Sequence, residues 1–214
     1  GRGKLLKRIL ELYDLNFGWA NCVFEGKSFQ RPNTVPGVWQ AFAGSGWYQS
    51  IVQGIVGLEA DLGGLTYIPC DIGVSVQLEK FPFRDTHWDI KIEGRGELAR
   101  EFVVDGESLS GTFKVPRKFL SPGEHKLEIS RGLFLPHPVL LEATDASVEE
   151  VNLKDKTLNI AFTGWDYTPI KFFSPVKPLL KFEGKEINFL WDEERKIGKT
   201  EINLSGKGEL NISI

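Results

Sequence analysis

Two hydrophobic rhythms divide the chain. Up to about residue 62 apolar side chains recur at helical spacing, and from Gly64 onward they alternate. Leu5, Leu6, Ile9, Leu12 and Tyr13 share one face, with Lys7, Arg8 and Glu11 opposite, so the spacing predicts an amphipathic helix over residues 4–15. A loop over 17–35 follows, marked by Gly, Asn and Pro. It holds Phe17, Trp19, Phe24, Phe29 and Glu25, is too apolar for a solvated linker, and is expected to pack down. Packed loops of this length usually carry function. A second helical run takes in Val38, Phe42, Val52, Ile55 and Val56, and is expected to break at Gly63-Gly64. Gly44, Gly46, Gly54 and Gly57 fall within it, and each costs about 1 kcal/mol relative to Ala in a helix. Close approach of another backbone, or of a ligand, would justify them. Either this is a tightly buried helix, or its first turns line a sugar site with Trp39, Phe42, Trp47 and Tyr48 as stacking faces.

The period-two half predicts strands over 65–69, 74–81, 87–94 and 98–107, the last ending in an Asp-Gly hairpin signal. Residues 111–116 and 125–130 complete that set. In HWDIKIEG, Trp88, Ile90 and Ile92 should face a core and His87, Asp89, Lys91 and Glu93 solvent. Pro136 and Pro138 flank His137 and suggest a boundary. Seven short strands are predicted beyond it, with Trp165-Asp166-Tyr167 in a turn between two of them. Two echoes link the halves: VVDGESL (103–109) with LKFEGKEI (180–187), and SPGEHKLEIS (121–130) with LSGKGELNIS (204–213). Two β-sandwich units of one ancestry would produce that, as would ordinary hairpin grammar.

Composition narrows the function classes. The chain has 214 residues, 41% hydrophobic and 26% charged, enough for two ordinary domains. Net charge is −3 without a basic run, so no nucleic-acid groove is expected. No apolar window reaches the roughly 18 residues of a membrane span. Cys22 and Cys70 have no metal or redox spacing and read as buried thiols or one disulfide. His87, His125 and His137 are dispersed, so neither metal nor other cofactor is expected. No signal-peptide pattern opens the chain, which points to the cytoplasm. Methionine is absent even at position 1, which reads as the C-terminal part of a longer polypeptide. The abundance of Lys, Glu and Ile leans towards a thermophile. Asp85, His87 and Trp88 sit on one alternating segment and read as structural. Trp165 and Tyr167 form either a packed corner or an exposed aromatic platform for sugar.

Three segments together resemble the end of the catalytic domain in six-hairpin (α/α)6-barrel glycosidases: WQAFAG (39–44), GLEAD (57–61) and GLTYIP (64–69). The relatives are glycogen-debranching-type α-glucosidases, α-L-rhamnosidases and cellobiose phosphorylases. FRDTHWDIKIEG (83–94) and VVDGESL with GEHKLEI (123–129) resemble the strand and hairpin of the β-sandwich that follows such a barrel. The resemblance covers roughly residues 1–130. It implies a mainly β chain with an N-terminal helical hairpin. Residues 1–62 would be the last barrel hairpin, and 63–134 and 135–214 two consecutive antiparallel β-sandwich domains.

The implied activity of the intact protein is inverting hydrolysis of α-linked glycosides. Glu25 is the one acid of the loop before the last barrel helix, and the resemblance makes it the catalytic base. The partner acid, about 6.5–9.5 Å away in inverting enzymes, would come from an earlier hairpin, and this chain offers no candidate. The chain alone is therefore expected to be inactive. Trp19, Trp39, Trp47, Trp165 and Tyr167 are the candidate substrate contacts. Gly44-Ser45-Gly46 resembles the phosphate-binding run of the phosphorylases but is one residue shorter, which weakens that alternative. The other alternative is a non-catalytic carbohydrate-binding or structural module. Expected partners are carbohydrate and, on the helical face, the rest of the barrel, a partner chain or a second copy.

Overall fold

The computed structural model describes residues 50–69 and 73–214, and over them the chain is mainly β. The helical hairpin expected over 1–62 lies almost wholly outside the described residues, as do Cys22 and Cys70. The chain divides into two compact units, Gly1–Leu58 with Cys70–Ile72 and Glu59–Pro69 with Gly73–Ile214. In the first, Ser50–Val56 is π-helical, and the Gly57 N–H donates to the Val52 carbonyl at 2.9 Å. Gly57 then takes φ 79°, which ends the helix well before the expected Gly63-Gly64 break. Residues 58–61 are already a strand.

The second unit begins within that strand, at Glu59. β1 (Leu58–Asp61) and β2 (Gly64–Tyr67) form a two-stranded sheet closed by a turn at Leu62 and Gly63. A five-stranded sheet follows: β3 (Val76–Phe83), β4 (Thr86–Gly94), β5 (Leu98–Val104), β6 (Glu107–Ser108) and β7 (Gly123–Gly132). Its order is β3-β4-β7-β5-β6. The neighbours β4 and β7 run parallel, in register from Thr86 against Gly123 to Gly94 against Arg131, where an antiparallel sheet was expected. β7 enters between two strands that already point in opposite directions, so one of its pairings has to be parallel. The alternation in β4 stands as read: Trp88, Ile90 and Ile92 are buried, and His87, Asp89, Lys91 and Glu93 exposed.

The last sheet has seven strands: β8 (Val139–Ala143), β9 (Ser147–Lys154), β10 (Thr157–Phe173), β11 (Leu179–Phe182), β12 (Lys185–Glu186), β13 (Leu190–Asp192) and β14 (Ile197–Ser213). β10 and β14 are 17 residues each and pair without a break from Thr157 against Ser213 to Phe173 against Ile197. Four of the seven expected short strands are thus halves of these two. One half of the ribbon is flanked by β9 and β11, the other by β8 and β13. Leu158, Ile160, Phe162, Ile170 and Phe172 of β10 meet Ile202, Leu204, Leu210 and Ile212 of β14 in one apolar core. All sit at even positions, so a single face of the ribbon is buried along both halves. At the centre Gly164 opposes Gly206, the kind of glycine step that lets a strand bend sharply. Elsewhere glycine makes room for rings. A Cβ at Gly198 would lie 2.0 Å from the ring of Phe172, its neighbour across the ladder.

Residues 111–116 were expected to form a strand of the first set. Instead they form a strap. The Tyr67 N–H donates to Phe113 O and the Val115 N–H to Leu65 O, while the Phe113 N–H donates to Leu140 O. The strap thus bonds β2 on one side and β8 on the other, tying the two-stranded sheet to the seven-stranded one.

Candidate functional site

The strap carries a lysine inward. Lys114 is wholly buried, and its Nζ donates to both carboxylate oxygens of Asp61 (2.9 and 2.8 Å) and to the Ala143 carbonyl (2.6 Å). All three ammonium donors are used. Asp61 also accepts the N–H groups of Gly64 (2.9 Å) and Asp145 (3.1 Å). Burial is the largest influence on Lys114 and pushes its pKa below the ordinary lysine range. The Asp61 hydrogen bond and charge oppose that, with Asp145 and Glu142 adding to the opposition. A buried charge persists only when paired in this way. The result locks the β1–β2 turn onto the β8–β9 turn. Leu62 N–H donates to Asp145 Oδ1 at 3.2 Å, and a Cβ at Gly63 would lie 2.1 Å from the Ala146 carbonyl oxygen.

Beside this knot opens a cleft of about 880 Å³. Trp165 and Tyr167 of β10 are among its lining, 80% and 68% exposed. They were expected in a turn. Residues 165–167 are instead paired in the ribbon, against Ser205, Leu204 and Asn203. Gly164, Pro169 and Gly206 read as turn residues in the sequence but mark the bend of a continuous strand. The two residues are separated by one position in β10, about 6.5–7 Å along a regular strand. Asp166 between them takes φ 87° and accepts the Tyr167 N–H at 2.8 Å.

Three cations complete the lining. Arg84, from the β3–β4 turn, donates through Nη2 to the carbonyls of Asp61 (3.2 Å) and Leu62 (2.6 Å), so the knot anchors it. Arg117 and Lys118 come from the 3-10 turn Arg117–Phe119. Arg117 meets Glu149 at 3.2 Å, and Lys118 meets Glu107 at 2.5 Å. Sequence reasoning missed all three, because they converge only in the folded chain. Asp145 and Asp166 are the carboxylates of the cleft.

Of the remaining candidates, Glu25, Trp19, Trp39 and Trp47 lie outside the described residues, and so does Gly44-Ser45-Gly46. Trp88 is core, with its Nε1–H on Thr86 Oγ1 at 2.6 Å, and Asp85 sits in the β3–β4 turn, as expected. A second concavity of about 620 Å³ has Ile170, Phe189 and Leu190 among its lining, and Leu190 is 77% exposed. It offers no exposed ring pair. Among the described residues no three His, Cys, Asp or Glu side chains group to hold a metal ion. Among them, too, no helix is long and apolar enough to cross a membrane. Chemically, the cleft can stack flat rings on Trp165 and Tyr167 and offer charged donors from Arg84, Arg117 and Lys118. The chain matches no protein-family model and no curated protein sequence.

Proposed function

We propose that the chain is the carbohydrate-binding, C-terminal β portion of a protein acting on glycosides, and that sugar lies on Trp165 and Tyr167. One observation carries this reading: two large aromatic side chains, two residues apart on β10 and mostly exposed, line one open cleft together with hydrogen-bonding side chains. Exposed rings of this size are costly to leave in water, and the C–H faces of pyranose rings match them. The two larger sheets are read as two sandwich-like units in series after a helical hairpin. Hydrolysis of an α-linked glycoside, with Glu25 as base, belongs to the same reading but rests on the resemblance alone.

The test is a binding survey of the chain against soluble oligosaccharides by calorimetry. Trp165→Ala and Tyr167→Ala should each weaken binding about tenfold, which corresponds to about 1.4 kcal/mol of lost stacking. Their unfolding transitions should stay at the wild-type midpoint. Binding unchanged in the double variant would overturn the platform. The catalytic part is tested separately, by comparing glycoside hydrolysis by a longer protein that includes a barrel with its Glu25→Gln variant.

A further inference from the structure

We infer that the cleft selects an acidic oligosaccharide, one whose rings carry carboxylate or sulfate groups. This rests on the reading of Trp165 and Tyr167 as a sugar platform, and it follows from the charged side chains that share their cleft. Arg84, Arg117 and Lys118 reach the same cleft from two separate elements. They stand against two carboxylates there, on a chain whose overall charge is −3. Both carboxylates are engaged, Asp145 by the Leu62 N–H and Asp166 by the Tyr167 N–H.

Arg84 is the most informative of the three. It holds φ 55° in the β3–β4 turn. Its Nη2 is pinned by two carbonyl oxygens, which fix the guanidinium without neutralising it. Among the described residues no carboxylate pairs with it. A guanidinium has five N–H donors in a planar fork that matches a carboxylate or sulfate bidentately, and Nε and Nη1 remain for that purpose. Arg117 and Lys118 are each held by one exposed carboxylate contact. Contacts of that kind contribute little, so a ligand anion can compete for both cations.

The experiment is calorimetric titration of the chain with three oligosaccharides of equal length: a neutral glucan, a polyuronate and a sulfated glucan. At least one acidic probe should bind about tenfold more tightly than the neutral one, the scale of a charge-assisted hydrogen bond. That margin should shrink at high salt. Arg84→Gln, and separately Arg117→Gln with Lys118→Gln, should remove the margin, whereas Trp165→Ala should weaken all bound probes alike. Lys199→Gln, outside the cleft, should change nothing. The second variant does not touch the Arg84 anchorage, so a folding defect in Arg84→Gln leaves the test intact. Equal affinity for neutral and acidic probes would overturn acid selection while leaving the platform standing. Acidic binding that survives Trp165→Ala, or falls equally with Lys199→Gln, would mean diffuse charge attraction and overturn it too. Binding of no probe would overturn both readings.

Discussion

The two large sheets close with the same hairpin, fastened differently. In the first, Asp105 and Gly106 take φ 51° and 82° between β5 and β6. In the second, Glu183 and Gly184 take φ 49° and 73° between β11 and β12. Each turn acid grips the strand that pairs with its hairpin. The Lys126 N–H donates to Asp105 Oδ1 (2.7 Å) while the Asp105 N–H donates to Lys126 O (2.9 Å). The Glu209 N–H donates to Glu183 Oε1 (2.6 Å) while the Glu183 N–H donates to Glu209 O (3.0 Å). One residue earlier the copies part. The first has His125, bridging Asp105 and the Ser121 carbonyl at 2.8 Å each and stacked on Trp88. The second has Gly208, where a Cβ would lie 2.9 Å from the Phe182 ring. Both regions bury apolar side chains, but the first adds buried and half-buried polar clamps, while the second relies on apolar packing along a continuous ribbon.

The largest effect should come from the polar region. Lys114→Met removes one partner of the buried pair and leaves Asp61 uncompensated, so it should destabilise by about 3 kcal/mol. That is the low end for a broken buried pair, because Asp61 is 23% exposed. Adding Asp61→Asn should recover part of that loss. Denaturant unfolding measures both. A cost below about 1 kcal/mol for Lys114→Met would mean that the strap is held by its backbone bonds alone.

The matching probe of the apolar region is Gly198→Ala. Its Cβ would press into the buried Phe172 ring, and overpacking of this kind costs roughly 1–3 kcal/mol. Gly198 is extended, so backbone strain does not confuse the reading. If Gly198→Ala is neutral, the ring has room to move and the ribbon is looser than its burial suggests.

The same contrast decides what could be read from the sequence. The β4 alternation and the Asp105-Gly106 hairpin were legible because each is set by residues adjacent in the chain. The paired echoes were legible for the same reason, and the turn acids Asp105 and Glu183 fall at matching places in them. The ribbon was not, because Gly164, Pro169 and Gly206 carry the local signature of turns, and only the unbroken partner strand converts them into a bend. Lys114 gave no signal, since its partner lies 53 residues away. In the cleft, Trp165 and Tyr167 were visible as an aromatic pair at i, i+2. Arg84, Arg117 and Lys118 were indistinguishable from other surface cations.

The smallest expected effect is a pH dependence confined to the first hairpin. Burial is the largest single influence on His125 and pushes its pKa down. The Asp105 hydrogen bond, the Ser121 carbonyl and the Asp105 charge together outweigh it, so the folded pKa stands above the ordinary histidine value. Both ring nitrogens face acceptors, which favours the doubly protonated ring. A raised folded pKa means that the clamp's contribution is complete below the unfolded value, near 6.5, and is lost as pH rises through the folded one. Stability measured by urea unfolding should therefore fall by about 1 kcal/mol or less on going from slightly acid to mildly alkaline solution, the scale of a partly exposed pair. His125→Gln should flatten that slope, since glutamine does not titrate. Glu183→Gln should leave it unchanged, because the second hairpin has no histidine at the corresponding position. A slope that survives His125→Gln would place the titrating group elsewhere and remove the chemical distinction between the two hairpins.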